Sequence, residues 1–253
     1  MRVIVTRPAA EAAQWLAALS SRGFEAIALP LIEIRAAGDQ APLADAWSQM
    51  ASASYSAVMF VSANAVRGFF AARPAAVAFT PRAWATGAGT RDALLAAGVA
   101  AIDSPPADAA QFDSEALWQV VGAQCVRGDR VLIVRGGDAG EGIAGRDWLA
   151  QQLVAQGVQV DQVLAYVRAC PSLTQPQIEL ASAAANDGAV WLFSSSQAIA
   201  NLRVCLPHRQ WRDARAIATH PRIAHAARDA GFGVVCVSRP TVDAVTAALE
   251  SLG

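Results

Sequence analysis

Few side chains in this 253-residue chain can move a proton near neutrality. They are His208, His220 and His225, the tyrosines Tyr55 and Tyr166, four cysteines and the carboxylates. All 20 basic residues are arginine, and lysine is absent. That excludes Schiff-base chemistry, lysine-linked pyridoxal phosphate and a lysine general base. It also excludes a phosphate loop ending in Gly-Lys-Ser/Thr. Fixed positive charge must come from Arg, which stays protonated and serves as an anion clamp rather than a base. The histidines do not match a zinc pattern such as HExxH, so no metal site is expected. Cys125, Cys170, Cys205 and Cys236 are widely separated with no CxxC, which reads as a reduced, cytoplasmic protein.

The other residues with chemical potential sit where short β-branched runs end. These are Thr6-Arg7-Pro8, Ser62-Ala63-Asn64, Thr86-Gly87, Arg135-Gly136-Gly137, Ser194-Ser195-Ser196 and Thr219-His220-Pro221. Ser and Thr cap a following helix, and Pro suits its first turn. A helix start presents free N–H groups and a positive dipole end to anions. In open parallel α/β sheets, ligands bind beyond the carboxyl ends of the strands. Two lobes with such rims facing each other would form a cleft for a ligand carrying several carboxylates or phosphates.

Plain readings stand beside these. Each hydroxyl alone reads as an N-cap. Arg7 and Arg135 can pair with local carboxylates, and Tyr166 can simply pack. His220 and His225 read first as helix-start and surface residues. Gly136, Gly137, Gly140, Gly142 and Gly145 form a loose Gly-rich loop that does not fit GxGxxG.

The elements that must position these residues follow from the pattern. Strands are expected at 2–6, 25–29, 57–61, 83–86, 130–134, 158–164, 189–193, 214–218 and 233–237. Ala-rich helical segments lie between them, at 9–21, 64–71, 90–97, 114–121, 146–156, 197–204, 223–230 and 242–251. Strands alternating with helices of this length predict βαβ units, parallel sheets and right-handed crossovers. The composition, 54% hydrophobic, supports a large core. The net charge of −1 gives no general attraction to nucleic acid or to a membrane. No apolar run reaches membrane-spanning length.

The chain also repeats itself. Phe60-Val61-Ser62-Ala63-Asn64-Ala65-Val66 resembles Phe193-Ser194-Ser195-Ser196-Gln197-Ala198-Ile199, and the same offset carries Gly98 onto Gly231 and Gly87 onto His220. Arg2–Arg7 matches Arg130–Arg135, each followed by a helix, a glycine and a strand. Two related lobes are the reading, either sequential with a break near residue 128 or with the middle of the chain nested. In the nested case, 30–35 and 165–171 would cross side by side as a short ladder.

Taken in order, these residues resemble the uroporphyrinogen-III synthase family. The resemblance rests on Val5-Thr6-Arg7-Pro8, Gly23 followed by Pro30-Leu31-Ile32-Glu33-Ile34, and Phe60–Val66. It continues through Gly87-Ala88-Gly89-Thr90, Ser114-Glu115-Ala116-Leu117, Arg135-Gly136, Leu164-Ala165-Tyr166-Val167-Arg168 and Phe193-Ser194-Ser195. It implies an α/β fold of two similar doubly wound parallel-sheet lobes joined by a two-stranded connection. Lobe one would hold 1–34 plus 170–253 and lobe two 35–169, with linkers near 30–37 and 165–172. It also implies the reaction: hydroxymethylbilane loses its hydroxyl, and the terminal pyrrole ring is inverted through a spiro intermediate before closure to uroporphyrinogen III. No cofactor or metal is implied.

Tyr166 matches the family's linker tyrosine and is expected to help the hydroxyl depart. Ser62, Gly87, Thr90 and Ser195 would hold acetate and propionate groups, with Thr6, Arg7, Asn64 and Arg135 as further binding candidates. The chain departs from the family where a second Gly-x-x-Thr would stand, reading His220-Pro221-Arg222-Ile223. His220 and Arg222 are therefore taken as substituted carboxylate contacts. The expected partner is the linear tetrapyrrole, with no nucleic acid and no membrane, in a cytoplasmic monomer. A transient contact with the upstream hydroxymethylbilane-forming enzyme is left open. The competing class is a non-catalytic two-lobe small-molecule receptor, which would bind tightly without turnover. A glycosyltransferase-like enzyme would need a nucleotide-diphosphate site that the sequence does not offer.

Overall fold

A computed structural model describes residues 1–52, 54–106, 114–138, 142–143 and 148–253. The chain divides into two compact units, Met1–Glu33 with Ala169–Gly253, and Ile34–Arg168.

Unit one is built on a five-stranded sheet in the order β12-β11-β10-β1-β2. The strands are β1 (Arg2–Val5), β2 (Glu25–Ala28), β10 (Val190–Phe193), β11 (Arg215–Ala218) and β12 (Val234–Val237), and every pairing is parallel. Parallel strands need crossovers, and helices α1 (Ala9–Ser20), α8 (Ser196–Cys205) and α9 (Pro221–Asp229) supply them. Helices α7 (Gln175–Ala183) and α10 (Val242–Glu250) complete the unit. The central strand β10 is buried along its length because side chains alternate between two covered faces. Val190 and Leu192 join Val3, Val5 and Ile217 in a core with Trp15 and Leu19 of α1 and Val245 and Leu249 of α10. Trp191 and Phe193 take the other face and pack with Trp211 and Phe232 at ring separations of 5.3–6.1 Å.

Unit two has a seven-stranded sheet in the order β3-β9-β7-β4-β5-β6, with β8 paired to β7. The strands are β3 (Glu33–Ala36), β4 (Ala57–Phe60), β5 (Arg82–Ala85), β6 (Ile102–Asp103), β7 (Arg130–Asp138), β8 (Gly142–Ile143) and β9 (Gln159–Ala169). Its helices are α2 (Ala41–Ala51), α3 (Ala63–Ala71), α4 (Ala88–Ala96), α5 (Ser114–Val121) and α6 (Trp148–Ala155). Alternation again divides the core. Val58 and Phe60 of β4 face a cluster with Trp47 of α2, Phe69 of α3 and Leu94 of α4. Ala57 and Met59 face another with Leu117 of α5 and Leu149 and Leu153 of α6.

The α/β class and the parallel sheets agree with the expectation from the strand–helix alternation. Strands β3 and β9, which hold parts of the stretches expected to cross side by side, are hydrogen-bonded neighbours in the sheet of unit two. Helices α2 and α7 were not read from the pattern. Each carries a proline in its first turn, where a missing N–H costs nothing. The repeat has a local cause in the helix ends: Gly98 and Gly231 both adopt left-handed backbone, with φ of +82° and +94°, just beyond α4 and α9. Strand β7 runs on to Asp138, so Gly136 and Gly137 are strand residues and not part of a Gly-rich loop. Gly140, Gly145 and Arg146 lie outside the described residues.

One titration belongs to this framework. The Tyr55 hydroxyl donates to Asp161 Oδ2 at 3.0 Å. Burial first, then that hydrogen bond and the carboxylate charge, push its pKa up to about 12. The unfolded value is about 10. The resulting stabilisation is whole below pH 10 and is lost as pH rises through about 12. Denaturant unfolding from pH 9 upward should therefore show Tyr55→Phe losing less stability than the parent chain over that window. Parallel pH curves would refute the linkage.

Candidate functional site

Strands β9, β7, β4 and β5 lie side by side and parallel, so their carboxyl ends share one edge of unit two. Phe60 of β4 is level with Val134 of β7 and with Ala85 of β5. Gly136 of β7 is paired with Tyr166 of β9, and Ser62, two residues past the end of β4, meets the Tyr166 hydroxyl through its own. Residues distant in sequence thus come together.

Ser62 is the N-cap of α3 in extended backbone, and its Oγ accepts the Ala65 N–H at 3.1 Å. The same oxygen lies 3.2 Å from the Tyr166 hydroxyl. Each hydroxyl can donate to the other or to a ligand, so this is a proton-bearing pair at a helix start. Thr86 Oγ1 donates to the Val61 carbonyl at 3.2 Å, tying the ends of β5 and β4 together. Gly87 is the N-cap of α4, and Thr90 is buried in its first turn.

The aim of Tyr166 comes from an irregularity. Arg135 pairs with Leu164, but Gly136 pairs with Tyr166, so β9 carries a bulge at Ala165. In a regular strand, neighbours point to opposite faces. Here Val163, Ala165 and the consecutive Tyr166 all belong to the core that faces α3. A bulge re-aims a side chain in this way.

The remaining expected residues are placed as follows. Arg135 is buried, 5% exposed, and its Nη1 donates to Gln162 Oε1 at 2.8 Å. Asn64 is mostly buried and accepts from Arg67 Nη1 at 2.8 Å. In unit one, Thr6 is 1% exposed, and its hydroxyl donates to the Leu192 carbonyl at 2.7 Å, joining β1 to β10. Arg7 lies over the Trp15 ring at 4.6 Å and pairs with Glu11 at 3.3 Å. Burial lowers its pKa, against the opposing charge of Glu11.

Ser195 is the N-cap of α8, its Oγ accepting the Gln197 N–H at 3.2 Å. His220 is the N-cap of α9, its Nδ1 accepting the Arg222 N–H at 3.1 Å. The imidazole thus caps the helix start that corresponds to Gly87, while Arg222 is exposed. His225 is exposed and faces Asp229 at 3.2 Å.

Sequence reasoning missed the bulge, Thr86 as a tie between strand ends, and the two-point contact of Arg168 with Asp138, at 2.9 and 3.2 Å, across β9 and β7. It also passed over Gly68, a glycine within α3. A glycine inside a helix costs stability, so such a position points to a packing reason. Among the described residues, no group of three His, Cys, Asp or Glu is placed to hold a metal ion, and no helix is long and apolar enough to cross a membrane.

A family model described as uroporphyrinogen-III synthase HemD matches residues 13–247. No curated protein matches the chain in sequence. Among solved structures, uroporphyrinogen-III synthetase from Helicobacter pylori is similar with a TM-score of 0.62 at 16% identity, covering 100% of each chain. A mutant uroporphyrinogen III synthase from the extremely thermophilic bacterium Thermus thermophilus is similar with a TM-score of 0.54 at 15% identity, covering 100% of this chain and 98% of that one. At such identities these likenesses speak for the fold, and the family model speaks for the family.

Proposed function

The chain belongs to the uroporphyrinogen-III synthase family, and from that premise we propose that Tyr166 assists departure of the substrate hydroxyl while the strand-end rims hold its carboxylates. The protein is a cyclising lyase of tetrapyrrole biosynthesis that converts hydroxymethylbilane to uroporphyrinogen III. The observation carrying the residue assignment is the 3.2 Å pair of Tyr166 and Ser62 hydroxyls at a capped helix start.

The chemistry asks for little from the protein beyond geometry and one proton. An electron-rich pyrrole pushes out the hydroxyl, the C–O bond breaks with its electrons on oxygen, and a proton from the Tyr166 hydroxyl completes water. The azafulvene-like cation is then attacked by the substituted carbon of the terminal ring. The spiro intermediate opens and recloses with that ring inverted, and the proton lost as the pyrrole recovers its aromaticity restores the Tyr166 phenol, directly or through solvent. General acid assistance of this kind contributes roughly 10²–10⁴-fold in typical enzymes. Orientation of the folded chain supplies the rest by bringing the correct carbon to the cation.

Carboxylates would sit at Ser62, Gly87 and Thr90, at the starts of α3 and α4, and at Ser195, His220 and Arg222 in unit one. Thr6, Arg7, Asn64 and Arg135 are engaged within the protein, so their support for binding would come from holding strand ends and helix starts in place. The linear tetrapyrrole is the only small-molecule partner this reading needs, and a monomer suffices. The transient contact with the upstream enzyme is kept as part of the same proposal. Four free cysteines fit action in a reducing cytoplasm.

A coupled assay with freshly generated hydroxymethylbilane tests the assignment. Spontaneous closure yields the type I isomer, so the chain should deliver type III. Type I alone, at any enzyme concentration, would sink it.

A further inference from the structure

Gly68 and Gly136 of unit two are not glycines for backbone reasons, since neither has a left-handed conformation. What they share is strand β9. A Cβ on Gly68 would stand 3.0 Å from the carbonyl carbon of Ala165 and closer still to its oxygen. A Cβ on Gly136 would stand 2.6 Å from both Cε1 and Oη of Tyr166. Real Cβ atoms essentially never come within 3.0 Å of another heavy atom, so either methyl group would force a shift. The two clashes fall on consecutive residues, and those residues are the bulge.

We propose that Gly68 and Gly136 are positioning residues for the Tyr166 phenol. Gly68 lets the Ala165 carbonyl sink against α3, which the bulge requires. Gly136 leaves an open floor on β7 over which the Tyr166 ring lies, so that its hydroxyl reaches Ser62 Oγ at 3.2 Å. Glycine inside a helix weakens it. Its presence at position 68 is accounted for by this approach of the strand. The catalytic relevance of the inference rests on the reading of Tyr166 as proton donor, but the placement itself has a separate readout.

The chain contains only two tyrosines, so the full-length protein labelled with 3-fluorotyrosine shows two fluorine resonances, and Tyr55→Phe assigns them. Gly136→Ala should shift the Tyr166 resonance and lower kcat roughly 100-fold, the scale of a misplacement of about 1 Å, with KM much less affected. Gly68→Ala should shift the same resonance. Gly38→Ala, whose Cβ would meet nothing within 4 Å, should do neither. If Gly136→Ala folds poorly, truncation of the ring relieves it. The double variant Gly136→Ala/Tyr166→Ala should then recover the thermal midpoint and lose no turnover beyond Tyr166→Ala alone. An unmoved resonance, or a full extra loss of turnover on the Tyr166→Ala background, overturns the proposal. A shifted resonance with kcat intact in both Gly136→Ala and Tyr166→Phe upholds the placement and defeats the proton-donor reading instead.

Discussion

Tyr166→Phe is expected to lower kcat for type III formation about 100-fold or more, with KM changed only a few-fold. The ring stays, so its packing over Gly136 and within the core facing α3 is kept. Ser62 also keeps its bond to the Ala65 N–H, and α3 keeps its cap. What is lost is one O–H at the end of a 3.2 Å contact. As a hydrogen bond at a half-buried site it contributes about 1 kcal/mol to stability. As a general acid it contributes roughly 10²–10⁴-fold in rate. The two roles therefore separate in measurement: a fold-only role leaves turnover near normal with a slightly lower thermal midpoint. Single-turnover kinetics with pre-formed hydroxymethylbilane makes the comparison, and unchanged turnover would remove the assignment of Tyr166.

The second large effect is structural. Trp47→Ala should destabilise the protein by about 3–5 kcal/mol, the usual range for removing a buried Trp or Phe. Trp47 is fully buried, stacks on Phe69 at 4.6 Å and meets Phe70 edge-on at 5.6 Å. Its indole N–H donates to the Phe69 carbonyl at 3.0 Å. Truncation therefore opens a cavity and also removes a partner from a carbonyl near the end of α3. Helix α3 carries the Ser62 cap and Gly68, so the loss reaches the candidate site through the helix that shapes it. Denaturant titration followed by circular dichroism measures it. A change under about 1 kcal/mol would mean that the aromatic cluster repacks around the gap.

Much of the site was legible as local chemistry. Ser62 and Ser195 were readable as caps because hydroxyls at strand ends before Ala-rich runs have few other local uses. Arg7 was readable as pairing with a local carboxylate, and the structure supplies Glu11, one helical turn on. His220 is different. Its place after a strand marked a helix start, but only the folded structure shows the imidazole itself receiving the Arg222 N–H. Gly136 and Gly137 misled because consecutive glycines after a β-branched run look like a loop. They stay in the strand because β9 continues alongside them. The bulge at Ala165 has no signature within β9, since it is defined only against the register of β7.

The sequence by itself determined the class of the fold and the list of groups available for chemistry. Strand and helix periods are local properties, and the absence of lysine removes amine chemistry from any fold the chain could adopt. It also determined that anions must be met by helix starts, hydroxyls and Arg. The order of the strands was decided only in three dimensions, and with it the meeting of Tyr166 with Gly136 and Ser62. Side-chain direction in a sheet reverses with each residue of register, so one inserted residue at Ala165 decides which way the phenol points. Register is settled by which neighbours can approach closely, and here two missing side chains, at Gly68 and Gly136, permit that approach.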